Sequence, residues 1–121
     1  MLALLWLWPQ GQVGYLFDIK RVPWSVSSVR CKSIFTSDIL LTCAFEVGPR
    51  DLPKLLAGES FSIAEPTYAH VQDFGMALDL GENFVPAYHY VAKPKDSPYG
   101  GSLDVFTNQE RTRVLAHLYI E

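Results

Sequence analysis

Ile39-Leu40-Leu41-Thr42-Cys43-Ala44-Phe45-Glu46-Val47 is the stretch of this sequence that decides its fold. Every odd-numbered position is apolar, whereas the even-numbered positions include Thr42 and Glu46. A two-residue period places alternate side chains on opposite faces of a β-strand. We therefore predict a strand here, with the odd-numbered face buried in the core.

The segment before this strand is expected to pair with it as a hairpin. Residues 25–35 have strand composition, and a bulge at Ser27-Ser28 would restore their alternation. Thr36-Ser37-Asp38 is a typical turn sequence. A three-residue turn at this point pairs Phe35 with Ile39, which fixes the register of the whole hairpin.

That register places Cys31 directly opposite Cys43. The β-carbons of directly opposed residues lie about 4.5 to 5.5 Å apart, so the two thiols are predicted to be neighbours on one face. Two cysteines are too few for a disulfide-stapled secreted scaffold, and their spacing is not that of a metal site. We therefore expect reduced thiols in a cytoplasmic protein.

One helix is expected immediately after the hairpin. Asp51 is placed to cap the segment 52–57, Pro53 falls in the first turn, and Gly58 could supply a left-handed stop. The helix has barely two turns. We expect it to cover one end of a sheet or barrel.

Strand-favouring segments recur through the rest of the chain, at residues 2–8, 13–22, 60–64, 68–80, 84–92, 103–106 and 108–120. Residues 68–80 are ambiguous, and strand is favoured because Gly75 interrupts any helical period. Residues 108–120 are also contested. Thr107-Asn108-Gln109-Glu110 matches a helix capping box, but alternation over 113–120 favours a strand, with Asp104 opposite Arg113.

These segments together predict an α+β domain that is mostly β. The expected architecture is a curved antiparallel sheet or small barrel with one short helix, about residues 52–57, in a single domain spanning 1–121. With 49% apolar residues, the composition is that of a packed globular chain.

Charge and hydropathy exclude two classes of partner. The net charge of -3 lacks the basic footprint of a nucleic-acid binder. No apolar run approaches the roughly 18 residues of a membrane helix. The apolar segment Met1–Trp8 lacks a preceding basic region, so a buried strand is favoured over a secretion signal.

Three histidines are the only candidates for a metal site. His70, His89 and His117 all fall in predicted strands and could in principle converge, but nothing in their spacing resembles a ligand set. We expect no metal and no cofactor. The sequence also lacks the phosphate-binding loop, dinucleotide-binding, zinc-protease and nucleophile-elbow motifs.

Acidic side chains in or beside strands leave one enzymatic hypothesis open. A buried acid paired with His89 or Tyr88 could perform acid–base chemistry in a barrel or cone cavity without a cofactor. The candidate acids are Glu46, Asp73, Asp79 and Asp104. Alternation favours a solvent-facing Glu46 and does not decide the placement of Asp79 or Asp104.

Aromatic residues around the loop 93–101 suggest a binding site. Tyr88 and Tyr90 share one strand face leading into this loop, and Tyr99 lies within it. Binding residues concentrate in long loops on rigid sheets, and tyrosine is common in interfaces. The favoured hypothesis is a non-enzymatic binding module for a protein partner, for self-association as a homodimer, or for a small apolar ligand.

Overall fold

A computed structural model describes residues 9–35, 38–65, 85–94 and 100–120 of the chain. Four predicted features fall outside these residues and stay predictions. They are the strands over 2–8 and 68–80, the placement of His70, Asp73 and Asp79, and that of Tyr99.

The described residues form one sheet and two helices. The elements are α1 (Pro9–Phe17), β1 (Ser27–Phe35), β2 (Ile39–Glu46), α2 (Leu52–Leu56), β3 (Ser62–Ala64), β4 (Tyr88–Ala92), β5 (Gly101–Thr107) and β6 (Arg113–Ile120). All strand pairs are antiparallel, in the order β1-β2-β6-β5-β4-β3. The mostly β prediction is confirmed. The sheet is open, with β1 and β3 at its edges, so the barrel alternative is wrong.

The core lies on one face of the central strands. In the β2–β6 register Cys43 stands opposite Ala116, and both are fully buried. The odd-numbered face of β2 is therefore buried, as its alternation predicts, but Thr42 and Ala44 on the other face are buried as well. Both helices and the neighbouring strands complete this core, which contains Val13, Leu16, Phe17, Leu41, Phe45, Leu52, Leu55, Leu103, Val105, Val114 and Leu118.

The strand predicted over 13–22 is wrong, because its first half is helix α1. Val13, Leu16 and Phe17 are all buried, and their i, i+3, i+4 spacing is the apolar stripe of a helix. Phe17 also fits the two-residue alternation that suggested a strand. Periodicity over so short a segment therefore supports both structures, and packing against the sheet selects the helix.

Helix α1 ends in a left-handed residue. Asp18 has a φ of 55°, and its amide donates to the Tyr15 carbonyl at 3.2 Å. The Ile19 amide donates to the Gly14 carbonyl at 3.0 Å. This pair of bonds satisfies the last free carbonyls of the helix in the Schellman pattern.

The short helix predicted at 52–57 is confirmed as α2, but its ends differ from the prediction. The Asp51 side chain makes no capping hydrogen bond; its carboxylate instead accepts from the Ser25 hydroxyl at 2.6 Å and pairs with Lys54 at 3.1 Å. Gly58 is not left-handed, because the positive-φ glycines of the described chain are Gly100 and Gly101. Buried Leu52 and Leu55 anchor α2 to the core.

The β1–β2 hairpin has the predicted register. Phe35 stands opposite Ile39, Cys31 stands opposite Cys43, and the register shifts between Ser27 and Arg30, where the bulge was expected. The expectation of free thiols is wrong. Cys31 and Cys43 form a disulfide, with α-carbons 4.1 Å apart, that ties edge strand β1 to β2.

The contested tail is strand β6, so the helical alternative is wrong. The predicted pairing of Asp104 with Arg113 is also wrong, because Asp104 stands opposite His117. The connection from β5 to β6 is a five-residue turn, 108–112, rather than the two-residue turn that the prediction assumed. Neither described helix has the length and hydropathy needed to cross a membrane.

Gly58 tests the packing of the two helical segments against each other. A β-carbon at Gly58 would overlap the Phe17 carbonyl oxygen and lie 2.8 Å from the Asp18 carbonyl oxygen. These are backbone atoms at the end of α1, so they can move only with the helix. Gly58→Ala is expected to destabilise the fold by about 1 to 3 kcal/mol or more, measured by urea unfolding. Ala57→Ser, which also adds one heavy atom but at an exposed position, should change stability by less than about 0.5 kcal/mol. Equal stability of the two variants would contradict this packing.

Candidate functional site

An open groove lies where α2 approaches strand β4 and the β5–β6 turn. Its volume is about 370 Å³. We call it the tyrosine groove, and its lining residues are Pro49, Leu52, Pro53, Leu56, Ala57, Tyr90 and Arg111. Its wall is mostly apolar, with the Tyr90 phenol and the Arg111 guanidinium as its strongest polar groups.

Tyr90 of strand β4 supplies the aromatic part of the groove wall, and Tyr88 lies next to it. Tyr88 and Tyr90 lie on the same strand face, as their alternation predicts, and their rings stack with centroids 6.5 Å apart. Tyr90 packs against the core and lines the groove. Tyr88 is covered by the Arg111 guanidinium, whose central carbon is 4.3 Å from the ring centroid. This distance is that of a cation–π interaction.

The β5–β6 turn holds Arg111 in place. Asn108 organises this turn, because its side-chain oxygen accepts from the Thr112 amide at 2.9 Å and the Arg113 amide at 3.1 Å. The Arg111 amide donates to the Asn108 carbonyl at 3.1 Å. Arg111 has a φ of 59°, a left-handed conformation that is costly for a side chain other than Asn, Asp or Gly. The turn therefore holds the Arg111 backbone at some conformational cost, in a position from which the guanidinium reaches the Tyr88 ring.

Two of the three predicted site residues lie among the described residues. Tyr90 lines the groove, and Tyr88 stacks beside Tyr90 under the Arg111 guanidinium. Tyr99 is outside the described residues. Arg111 and the α2 residues were not predicted as site residues. Arg111 reaches the groove through the Asn108 turn, and the α2 residues reach it through the packing of α2 on the sheet. Local sequence patterns show neither of these contacts. Asn108 itself, a residue type that favours turns, was the available signal in the sequence.

A second cluster lies on the opposite face of the sheet. His89 has a relative exposure of 6%, and the Nε2 of its ring is 2.8 Å from an Asp104 carboxylate oxygen. Its Nδ1 is 3.2 Å from the Glu65 carbonyl oxygen. The ring also stacks on Phe106, with centroids 4.2 Å apart. The structure thus brings together one of the Asp/His pairs that the enzymatic hypothesis considered.

Hydrogen-bond valence restricts what this pair can do. The Glu65 carbonyl can only accept, so Nδ1 of His89 must carry a hydrogen. Nε2 then either donates a hydrogen bond to the ionised carboxylate of Asp104 or accepts a hydrogen bond from the neutral carboxyl group of Asp104. In both cases His89 and Asp104 share one proton and each ring nitrogen has a protein partner. The arrangement leaves no ring nitrogen to take a proton from a substrate.

His117 lies beside this pair on β6, directly opposite Asp104. Its Nδ1 is 2.6 Å from the Thr42 hydroxyl. Burial lowers the pKa of His117, and the negative charge of Asp104 opposes that effect without cancelling it. His117 is therefore more readily neutral than a solvent-exposed histidine. Among the described residues, no group of three or more His, Cys, Asp or Glu side chains is placed to hold a metal ion.

Comparison with known proteins yields no relative. No protein-family model, curated protein or solved structure matches the chain. Interpretation of the site therefore depends on its geometry and chemistry alone.

The lowered pKa of His117 predicts how stability depends on pH. Between its folded pKa and the ordinary value of 6.5, the unfolded chain binds more protons than the folded chain. The contribution of His117 is thus present above pH 6.5 and lost as the pH falls through its folded pKa. We expect the urea midpoint of wild type to drop between about pH 7.5 and about pH 5. His117→Gln should show a smaller drop, and an unchanged drop would contradict this assignment.

Proposed function

We propose that this chain is a non-enzymatic protein-binding module whose tyrosine groove accepts an aromatic or large apolar side chain of a partner. The observation that carries the proposal is the Arg111 guanidinium stacked on Tyr88 at the edge of an apolar groove. A guanidinium has two faces, and an exposed Arg111 can offer its second face to another ring. Arginine and tyrosine are also enriched among residues that dominate binding energy.

Preorganisation supports this proposal. Asn108 holds the turn that carries Arg111, and the buried leucines of α2 anchor the helix that brings Pro53 and Leu56 to the groove. Binding then orders few side chains, which reduces the entropic cost of association. Among the described residues, Arg111 forms no salt bridge with a carboxylate. Its guanidinium contacts the Tyr88 ring on one face, and a second ring on the other face adds an interaction of the same kind.

The size of the groove favours a partner's side chain over an enclosed ligand. A volume of about 370 Å³ is near the low end of the roughly 300 to 1,000 Å³ of small-molecule sites. Such sites bury most of the ligand surface, whereas this groove is open to solvent. A side chain anchored to a protein needs only its tip buried, which makes a small apolar ligand the weaker alternative.

The enzymatic alternative has one favouring observation, the contact between His89 and Asp104. Both nitrogens of that imidazole have protein partners, so the pair resembles a structural clamp between β4, β5 and the Glu65 backbone. The binding module is therefore the better proposal.

The proposal extends to self-association, whereas the cytoplasmic location expected from the sequence has the disulfide against it. The disulfide between Cys31 and Cys43 argues against a permanently reducing compartment, because such bonds rarely persist in the cytosol. A cytoplasmic location requires cellular thiols to open this bond. Alkylation of protein isolated under thiol-trapping conditions measures that directly: two modified cysteines support a cytoplasmic location, and none contradicts it.

Titration with N-acetyl-L-tryptophanamide, followed by NMR, tests the groove. Shifts are expected at Tyr90, Leu56 and Arg111, with affinity at least about threefold higher than for N-acetyl-L-leucinamide because the indole adds a cation–π contact. Ala57→Glu, which fills the groove from an exposed position, should abolish the shifts.

The substitution Arg111→Asn tests the guanidinium independently of the turn backbone that carries it. Asparagine tolerates the left-handed conformation, so the turn should persist while the stacking cation is removed. We expect the tryptophanamide preference over leucinamide to disappear. Ile63→Ala, at an exposed apolar residue of β3, is the matched control and should bind as wild type does. Shifts scattered away from the groove, or unaltered in Ala57→Glu, would refute the proposed function.

A further inference from the structure

Trp24 is the most exposed large apolar side chain among the described residues, with a relative exposure of 102%. Ile63 and Val85 follow at 78% and 55%. Tryptophan is among the residues most enriched at the energetic centres of protein interfaces. A completely exposed indole loses contact with water only when another molecule covers it.

The backbone beneath Trp24 is rigidly held. The Val26 amide donates to the Pro23 carbonyl at 3.1 Å, which closes a tight turn with Trp24 at its second position. The Ser25 hydroxyl donates to the Asp51 carboxylate at 2.6 Å and accepts from the Gly48 amide at 2.9 Å. Val26 is buried in the core. The indole therefore projects from a fixed support rather than from a mobile loop.

The Trp24 turn adjoins the tyrosine groove. Its two anchor points, Gly48 and Asp51, directly flank groove residues Pro49 and Leu52 in the chain. A projecting aromatic ring and a groove suited to an aromatic ring are thus built on neighbouring segments. This is the composition of a self-complementary patch, in which one two-fold axis forms the same contact twice.

We propose that the partner is a second copy of this chain, whose Trp24 inserts into the tyrosine groove while the first copy's Trp24 occupies the groove of the second. This inference rests on the proposed function of the groove. The partner's indole packs against Leu56 and Tyr90 and covers the open face of Arg111. The groove of each protomer is then incomplete without the side chain that the other contributes.

The chemistry of the indole supports this occupant. Tryptophan presents the best aromatic face for a guanidinium, and Arg111 already has a tyrosine on its other side. The apolar groove residues match the benzenoid part of the indole. The turn that carries Trp24 is already ordered, so association has a small entropic cost there. The Asn108 turn lowers the same cost for the groove.

Sedimentation velocity over a concentration series tests the inference with four proteins. Wild type and the control Ile63→Ala should show the same concentration-dependent dimer. Trp24→Ala and Ala57→Glu should weaken dimerisation at least about thirtyfold, the effect of losing an interface hot spot. Trp24→Ala should melt within a degree or two of wild type, because a fully exposed side chain adds little to folding.

Mixing the two deficient variants makes the test specific. Trp24→Ala keeps an intact groove, and Ala57→Glu keeps an intact indole, so one of the two symmetric contacts can form between them. The mixture should associate more strongly than either variant alone and more weakly than wild type. If the mixture associated no more strongly than the separate variants, the insertion of Trp24 into the tyrosine groove of the other copy would be overturned.

The outcomes distinguish this inference from the function on which it rests. A monomeric wild type that still binds N-acetyl-L-tryptophanamide at the groove overturns the second-copy inference and leaves the binding module standing. Absence of both dimer and amide binding overturns both. A monomeric wild type that co-sediments with anionic phosphatidylserine vesicles through Trp24 would instead assign the indole to a membrane surface. A dimer that survives Trp24→Ala also overturns the inference.

Discussion

The alignment of β2 with β6 is the constraint on which the rest of the structure depends. Because strand side chains alternate, a slip of one residue between Cys43 and Ala116 would exchange the two faces of a central strand. In the observed register Cys43 of β2, Ala116 of β6 and Val105 of β5 lie on the face that packs with the buried residues of α1 and α2. That common apolar surface holds Leu52 and Leu55, and through them it sets the position of α2.

The tyrosine groove follows from this arrangement. Once α2 is anchored, Leu56 and Pro53 line the groove together with Tyr90 of β4. Arg111 lines the groove from the β5–β6 turn, whose backbone Asn108 holds, and its guanidinium covers Tyr88. The Trp24 turn is tied to the segment leading into α2 through Ser25. The Trp24 turn and the groove are thus attached to the same segment of the chain. A displacement of α2 should therefore move both.

The features predicted from sequence are those set by neighbouring residues. The alternation of β2, the length of its turn and the opposition of Cys31 and Cys43 are local properties, and the structure confirms them. The α1 helix was missed because nine residues containing two glycines satisfy both helical and strand periods. Packing of Val13, Leu16 and Phe17 against the sheet decides between these periods, and that contact is remote in sequence. Similarly, the turn that Asn108 organises is longer than predicted, so the residue opposite Asp104 is His117 and not Arg113. Of the candidate site, the shared face of Tyr88 and Tyr90 was predictable, whereas the approach of Arg111 required the turn geometry.

An isotope-filtered NOE experiment on a mixture of labelled and unlabelled protein tests whether Trp24 of one copy enters the groove of another. In such a mixture, filtered cross-peaks arise only between different copies of the chain. The account predicts intermolecular cross-peaks from the Trp24 indole protons to the rings and methyl groups of Tyr90 and Leu56, growing with protein concentration. Absence of these cross-peaks in a sample that sediments as a dimer would contradict it, because the copies would then be joined through another surface.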